Sequence, residues 1–338
     1  MRRPIIAIAC VLLAAAIFFA GPGQRKRLFR DSRTALYTLV SITTVSESED
    51  RARKATDEAY RELDRLGRLL NFYAEDSELS AINRNAGIKP VQVSPDTLEV
   101  IRTAVYAAEQ TEGGFDVTVG PLVRLWDFQK KTIPTAGMID QAKEHVGYKH
   151  IVVDTAASTV YLDKKGVQMD LGGIIKGYAA DKAAEVLMKN GIESGIVAVA
   201  GDIRLFGSQP DGRPWHIGIQ NPRQRGEDDG LLATVFLDAG GLSTSGDYQR
   251  YFIDKGVRYH HLLNPQTGFP QNLCRSVTII APTAALTDSL ATGIFILGPE
   301  KGLAVLEQLG MGGIIVDRDG RIRMTEGLKD KVQLVGDR

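Results

Sequence analysis

Two short stretches concentrate residue types suited to phosphate and metal chemistry. In Thr287–Gly293 (TDSLATG), Asp288 and Thr292 stand four positions apart. On a helix that spacing places both on one face. A carboxylate and a hydroxyl pointing together are hard oxygen donors of the kind Mg²⁺ takes, with waters, carbonyls or substrate phosphate completing its octahedron. The same stretch also suits a plain helix start, in which Thr287 or Asp288 caps the helix and Thr292 bonds a backbone carbonyl. In Met169–Asp181 (MDLGGIIKGYAAD), an apolar run ends in Gly172-Gly173, and a helix-like segment follows from about Ile174 to Asn190. Adjacent glycines let backbone approach a ligand closely. A helix N-terminus favours anions, phosphate above all, and Lys176 adds a positive charge in the first turn. This stretch reads either as a seat for a phosphate-bearing ligand or as an ordinary strand–turn–helix corner.

Other chemistries find less support. The five histidines show no metal-binding spacing. On a strand, the pair His260-His261 would send one ring to each face, so at most one can meet a given site. Ser243, Thr244 and Ser245 lack the G-x-S-x-G elbow of a serine hydrolase. Only Cys10 and Cys274 are present, too few for a disulfide framework or a cysteine zinc site. The glycines of Gly172–Gly177 do not spell G-x-G-x-x-G, and no Walker pattern occurs. Lys+Arg and Asp+Glu balance at 41 each, so nothing global favours nucleic acid and any anion site must be local.

The elements that must hold these residues read as follows. Leu36–Val45 is β-branched and suggests a first strand. Glu49–Leu70 carries Ala52, Ala55, Ala59, Leu63, Leu66 and Leu70 at helical spacing. Ser77 starts a short helix, and Ser94-Pro95 caps one that runs to about Gln110. Gly113–Trp126 (GGFDVTVGPLVRLW) is a ligand-facing loop or a tight turn in which Asp116 caps. Ile151–Asp154 and Thr159–Leu162 form a hairpin. Ile196–Phe206 is a buried-type strand broken by Gly201-Asp202. His216–Gln220, Leu232–Leu237, Ser276–Ile280 and Gly313–Val316 are further strands, and Ala284–Leu297 and Pro299–Leu309 are helices. Strands and helices mix without strict βαβ alternation, which predicts a single α+β domain. At 338 residues with 43% hydrophobic content, the chain can bury a large core.

The N-terminus is different. Arg2-Arg3 precede an apolar run, Ile5–Ala20, which reads as a signal-anchor or signal peptide over residues 1–23. Residues 24–32 then form a basic linker, and 33–338 the folded domain.

Taken together and in order, FYAEDSELSAIN, GGFDVTVGPLVRLWDF, DLGGIIKGYAAD, AGDIRLFG, STSGDYQRYF, HHLLNPQTG and TDSLATG make the chain resemble the ApbE-type flavin transferases, the FAD:protein FMN transferase family. The resemblance runs from about Arg33 to near Arg323. It implies FAD as substrate, Mg²⁺ as cofactor, and transfer of FMN to a threonine (or serine) hydroxyl of an acceptor protein with release of AMP. By position it implies Asp288, Thr292 and the Gly173 carbonyl as metal ligands. It likewise implies flavin-nucleotide contacts at Leu36, Asn71, Phe72, Tyr73, Asp116, Lys176, Ser245, Gly246 and Leu262. His261 is the candidate general base. The implied partners are acceptor subunits of membrane redox complexes, such as sodium-pumping quinone reductases. The implied location is the outer face of the bacterial inner membrane, with the catalytic domain in the periplasm. Two other functions fit the same residues: a Mg²⁺-dependent FAD pyrophosphatase and a non-catalytic FAD-binding protein. The chain departs from the family pattern at Leu36-Tyr37-Thr38, where Met-Gly-Thr is usual, at Ala200, where a glycine is usual, and at Asn264-Pro265, where Asp-Pro is usual.

Overall fold

The computed structural model describes residues 25–223 and 230–335. The proposed N-terminal segment, 1–23, lies outside the described residues. Among the described residues, no helix is long and apolar enough to cross a membrane.

An eight-stranded sheet organises the fold: β1 (Arg27–Ala35), β2 (Thr38–Ser46), β3 (Ser194–Val199), β4 (Asp202–Phe206), β5 (Gly240–Gly246), β6 (Cys274–Ala281), β7 (Gly312–Asp317) and β8 (Ile322–Met324). The strands lie side by side in chain order, and every neighbouring pair is antiparallel. The expected α+β class follows from this: helices enter through long connections between antiparallel strands, without parallel crossovers.

Five principal helices fill those connections: α1 (Glu49–Leu69), α2 (Pro95–Gln110), α3 (Ile175–Lys189), α4 (Ala284–Leu297) and α5 (Pro299–Gln308). Their starts follow local capping chemistry. The Ser48, Ser94 and Thr283 hydroxyls accept the backbone N–H of Arg51, Thr97 and Leu286, and Pro95 occupies the first turn of α2. One face of the sheet (Val40, Ile42, Val197, Val277, Ile279) packs against Leu63 and Leu66 of α1, Ala184 and Leu187 of α3, and Leu290 and Ile294 of α4. The other face (Val45, Leu205, Leu242, Ile314) packs against a three-stranded sheet made of Trp215–Gln220, Leu231–Leu237 and Val332–Leu334. Helix α4 sits deepest, with both Asp288 and Thr287 buried along with its apolar residues.

Two expectations change. The stretch taken as a basic linker, 24–32, is largely strand: Arg27–Ala35 pairs along its whole length with Thr38–Ser46. It is the sheet edge, polar on both sides, so it carries no period-two apolar signal. The first predicted strand therefore starts at Thr38, and Leu36-Tyr37 are the turn of a hairpin. Leu36 and Tyr37 have φ of 50° and 60°. A two-residue turn with both central residues at positive φ matches the right-handed twist of the strands but favours glycine or asparagine. Ala200, at φ 53°, makes the corresponding turn between β3 and β4. Leu39 O accepts the Ala200 N–H, so the two turns lie side by side at one end of the sheet.

Candidate active site

The glycine stretch is held from behind. Asn83, on a short helix capped by Ser77, accepts the Met169 N–H through Oδ1 and donates from Nδ2 to the Met169 carbonyl, at 2.8 and 2.9 Å. Asp170 then turns the chain, its Oδ1 accepting the Gly172 N–H at 2.8 Å. Helix α3 begins two residues past Gly173 with no side-chain cap of its own. The Leu171 carbonyl accepts the Ile174 and Ile175 N–H groups, which leaves those of Lys176 and Gly177 for a partner from elsewhere.

That partner comes from α4. The Asp288 carboxylate accepts the Gly177 N–H at 3.0 Å. It also lies 3.4 Å from the Lys176 ammonium, and Asp202, the first residue of β4, makes a closer ion pair with the same Lys176. One ammonium therefore stands between two buried carboxylates. Burial works against the Lys176 charge, but Asp202 and Asp288 outweigh it and hold the lysine above its ordinary range. Burial and the facing Asp202 push the Asp288 carboxyl well above the usual carboxylate range, more than Lys176 and the Gly177 N–H pull it down.

One turn on, Thr292 Oγ1 lies 3.2 Å from Ser245 Oγ near the end of β5. A Cβ on Gly173 would come within 3.8 Å of Thr292 Oγ1 and 3.0 Å of the Phe115 ring, so Gly173 backbone passes close to that hydroxyl. Gly173, Lys176, Ser245, Asp288 and Thr292 are thus brought together from three elements, and Gly246 follows Ser245 at the strand end.

One carboxylate, two hydroxyls and a nearby backbone carbonyl are all hard oxygens, which fits Mg²⁺. Among the described residues, no three His, Cys, Asp or Glu side chains gather as a metal cage. A dication here would need water or substrate phosphate to complete its shell.

The two histidines separate. His260 donates from Nε2 to the Gln271 carbonyl at 2.9 Å and accepts the Leu262 N–H at Nδ1, 3.3 Å away. His261 Nδ1 is buried without a hydrogen-bond partner among the described residues. Burial, with the positive charges of Arg250 and Lys176 nearby, lowers His261 to about 3, so its ring is neutral near pH 7. Leu262 is a buried core side chain.

A second region adjoins the glycine stretch. Phe72, Tyr73, Ser80, Asn83, Arg124 and Gln168 line a cavity of about 700 Å³. The Arg124 guanidinium lies 4.4 Å over the Phe72 ring, and Tyr73 meets Phe72 edge-on while remaining 75% exposed. Asn71 donates to the Tyr37 hydroxyl at 3.1 Å and accepts the Tyr73 N–H at 2.8 Å, which ties this loop to the β1–β2 turn. Leu36, in that turn, packs against Gly67 of α1. Asp116 is engaged locally: Oδ1 accepts the Thr118 N–H and hydroxyl, and Oδ2 the Tyr148 N–H. Its carboxylate holds two loops together, and burial raises its pKa.

Asp170 was not singled out from the sequence, although an Asp two residues before a glycine signals a side-chain turn. Burial raises it, and the Arg124 and Arg250 charges partly offset the rise. Nor was the pairing of Asp202 with Lys176, which no local pattern announces.

Comparison with known proteins agrees with this geometry. The ApbE family model matches residues 36–315. A curated relative called FAD:protein FMN transferase, from Escherichia coli (strain K12), is 33% identical over 327 residues, covering 91% of this chain and 92% of its own. A protein of the same name from Treponema pallidum (strain Nichols) is 30% identical, covering 97% of this chain and 94% of its own. Among solved structures, the ApbE protein of Thermotoga maritima superposes with a TM-score of 0.83 at 34% identity, over 90% of this chain and 99% of that one. The flavin transferase ApbE of Vibrio cholerae gives 0.81 at 30% identity, over the same shares. A family match over most of the chain, relatives above 30% identity and a common fold agree: the chain belongs to the ApbE family.

Proposed function

We propose that this protein is an FAD:protein FMN transferase that moves the FMN half of FAD onto a threonine (or serine) hydroxyl of an acceptor protein and releases AMP. The observation that carries the reading is the convergence of Lys176, Asp202 and Asp288 beside the uncapped start of α3, with Thr292 and Gly173 alongside. Such a cluster suits a diphosphate, whose charge must be held and oriented. Mg²⁺, held by Asp288, Thr292 and the Gly173 carbonyl, would neutralise charge on the diphosphate oxygens.

The chain's own residues account for the rest. The Lys176 ammonium and its backbone N–H at the start of α3 orient the diphosphate. The Phe72–Tyr73 cavity, joined to the cluster by Met169–Gly173, suits an aromatic part of FAD. The acceptor hydroxyl oxygen bonds to the FMN phosphorus as the bond to the AMP oxygen breaks. His261 takes the hydroxyl proton. Its neutral ring has a free lone pair, and a bound diphosphate would offset the Arg250 and Lys176 charges that depress its basicity. His261→Asn should then lower the transfer rate by about 10²–10⁴-fold at unchanged FAD affinity, read by steady-state transfer and FAD titration. A variant with wild-type turnover would remove His261 as base.

The basic and apolar residues 1–23 support an inner-membrane anchor with the domain in the periplasm, and acceptors among membrane redox complexes. The full-length protein with FAD, Mg²⁺ and a threonine-bearing acceptor domain should yield AMP and a covalently flavinylated acceptor in equal amounts. FMN and AMP formed without acceptor would instead identify a pyrophosphatase, and FAD bound but unchanged a binding protein.

A further inference from the structure

The Asp181 that ends MDLGGIIKGYAAD takes no part in the chemistry above, yet it makes the most directed contact between α3 and α4. Its Oδ1 and Oδ2 accept the N–H groups of Ala284 and Ala285, each at 2.9 Å. These are the first two N–H groups of α4. The helix already has its own cap, since Thr283 serves the Leu286 N–H. Thr283 leaves the Ala284 and Ala285 N–H groups open, and the carboxylate that closes them comes from a neighbouring helix, so it also ties the start of α4 to α3. Arg204 backs the arrangement: its Nε lies 3.5 Å from Asp181, and its guanidinium donates to the Pro282 carbonyl just before α4.

Two rungs then join the same three elements. In one, Asp202 of β4, Lys176 of α3 and Asp288 of α4 meet; in the other, Arg204 of β4, Asp181 of α3 and the α4 N-terminus meet. Residues two apart on a strand share a face, so Asp202 and Arg204 point the same way. Apart from Asp288, the first half of α4 is Ala, Thr and Ser with only two leucines, a smooth surface that offers few knobs to set its register.

We propose that Asp181 is a positioning residue, which locks α4 against α3 and so sets where Asp288 and Thr292 stand relative to Gly173. This rests on the metal reading of those residues given above. Burial pushes Asp181 up to about 6, against the pull of both N–H groups and Arg204, so it is ionised at neutral pH.

The test uses the full-length enzyme with FAD and acceptor, titrated with Mg²⁺. Asp181→Asn should raise the Mg²⁺ needed for half-maximal transfer by tenfold or more, with the KM for FAD within twofold of wild type. Asp181→Glu, which restores the charge, should recover part of that loss. Thr283→Ala, which weakens the same helix start without touching Asp181, should lower the Tm but keep the wild-type Mg²⁺ requirement. An unchanged Mg²⁺ requirement in Asp181→Asn overturns the proposal, as does an equal shift in Thr283→Ala, which would indicate helix stability alone. If Asp181→Asn does not fold, Arg204→Gln is read instead, with a smaller shift expected in the same direction and no shift overturning the proposal. A wild-type enzyme indifferent to Mg²⁺ would sink the metal reading instead. Asp181 is then judged on kcat, and an unchanged kcat in Asp181→Asn overturns its role.

Discussion

Asp288→Ala should reduce FMN transfer by about a thousandfold or more, because it removes the one carboxylate that stands with Thr292 on α4. The folded protein should tolerate the loss. Lys176 keeps its closer partner, Asp202, so no buried ammonium is left alone. The sharper form of the experiment is Asp288→Asn, read for stability without metal. The folded-state pKa of Asp288 is raised, so the folded protein holds this proton more tightly than the unfolded chain does. Ionising the group therefore subtracts stability as pH rises from the ordinary carboxylate range, about 4, towards the raised value. Asp288→Asn removes that term. Its unfolding free energy in chelator should equal or exceed that of wild type at pH 8, by on the order of 1–2 kcal/mol, and the advantage should shrink by pH 5. Full transfer activity in either variant would remove Asp288 from the site. A variant much less stable than wild type at pH 8 would mean the carboxylate stabilises the fold. The expected split between activity and stability is that of a site that holds like charges together for function.

Gly177→Ala should damage both stability and rate. A Cβ at this position would stand 2.5 Å from the Ala284 carbonyl carbon and 2.8 Å from Asp288 Cβ. Both belong to α4, and one is backbone, so no side chain can swing aside. Alanine favours a helix over glycine by about 1 kcal/mol. Overpacking at a backbone contact costs about 1–3 kcal/mol or more, so the clash should win. The net loss should be about 2 kcal/mol, read by chemical denaturation. The helices can separate only by moving Asp288 and Thr292 away from Gly173, and misplacement by about 1 Å can cost about a hundredfold in rate. A variant as stable and as active as wild type would mean that α3 and α4 need not approach so closely.

Much of this was legible locally. The start of α2 was readable because the Ser94 hydroxyl accepts the Thr97 N–H and Pro95 fits the first turn, whereas α4 is capped by Thr283, four residues before the Thr287 that the sequence offered. The Asp288–Thr292 pair was readable because a helix fixes which residues share a face. The resemblance to flavin transferases rested on seven short segments in order, and the family match covers residues 36–315, most of that span. Other features left no trace in the pattern. β1 is an edge strand, polar on both faces, and looked like a linker. Leu36 and Tyr37 read as strand residues because nothing in two apolar side chains announces positive φ.

The sequence by itself determined the kinds of group available, their spacing along each helix and an α+β mixture of elements, because caps, periodicity and turn chemistry act between near neighbours. Only the tertiary structure decided which groups meet. Lys176 is 26 positions from Asp202 and 112 from Asp288, and it joins them because a meander sheet brings β4 under α3 while α4 packs alongside. Asp181 reaches across 103 positions to close an N–H group of α4 that Thr283 leaves open. Such contacts depend on how layers stack in three dimensions, and burial then sets their charge, raising Asp288 and lowering His261.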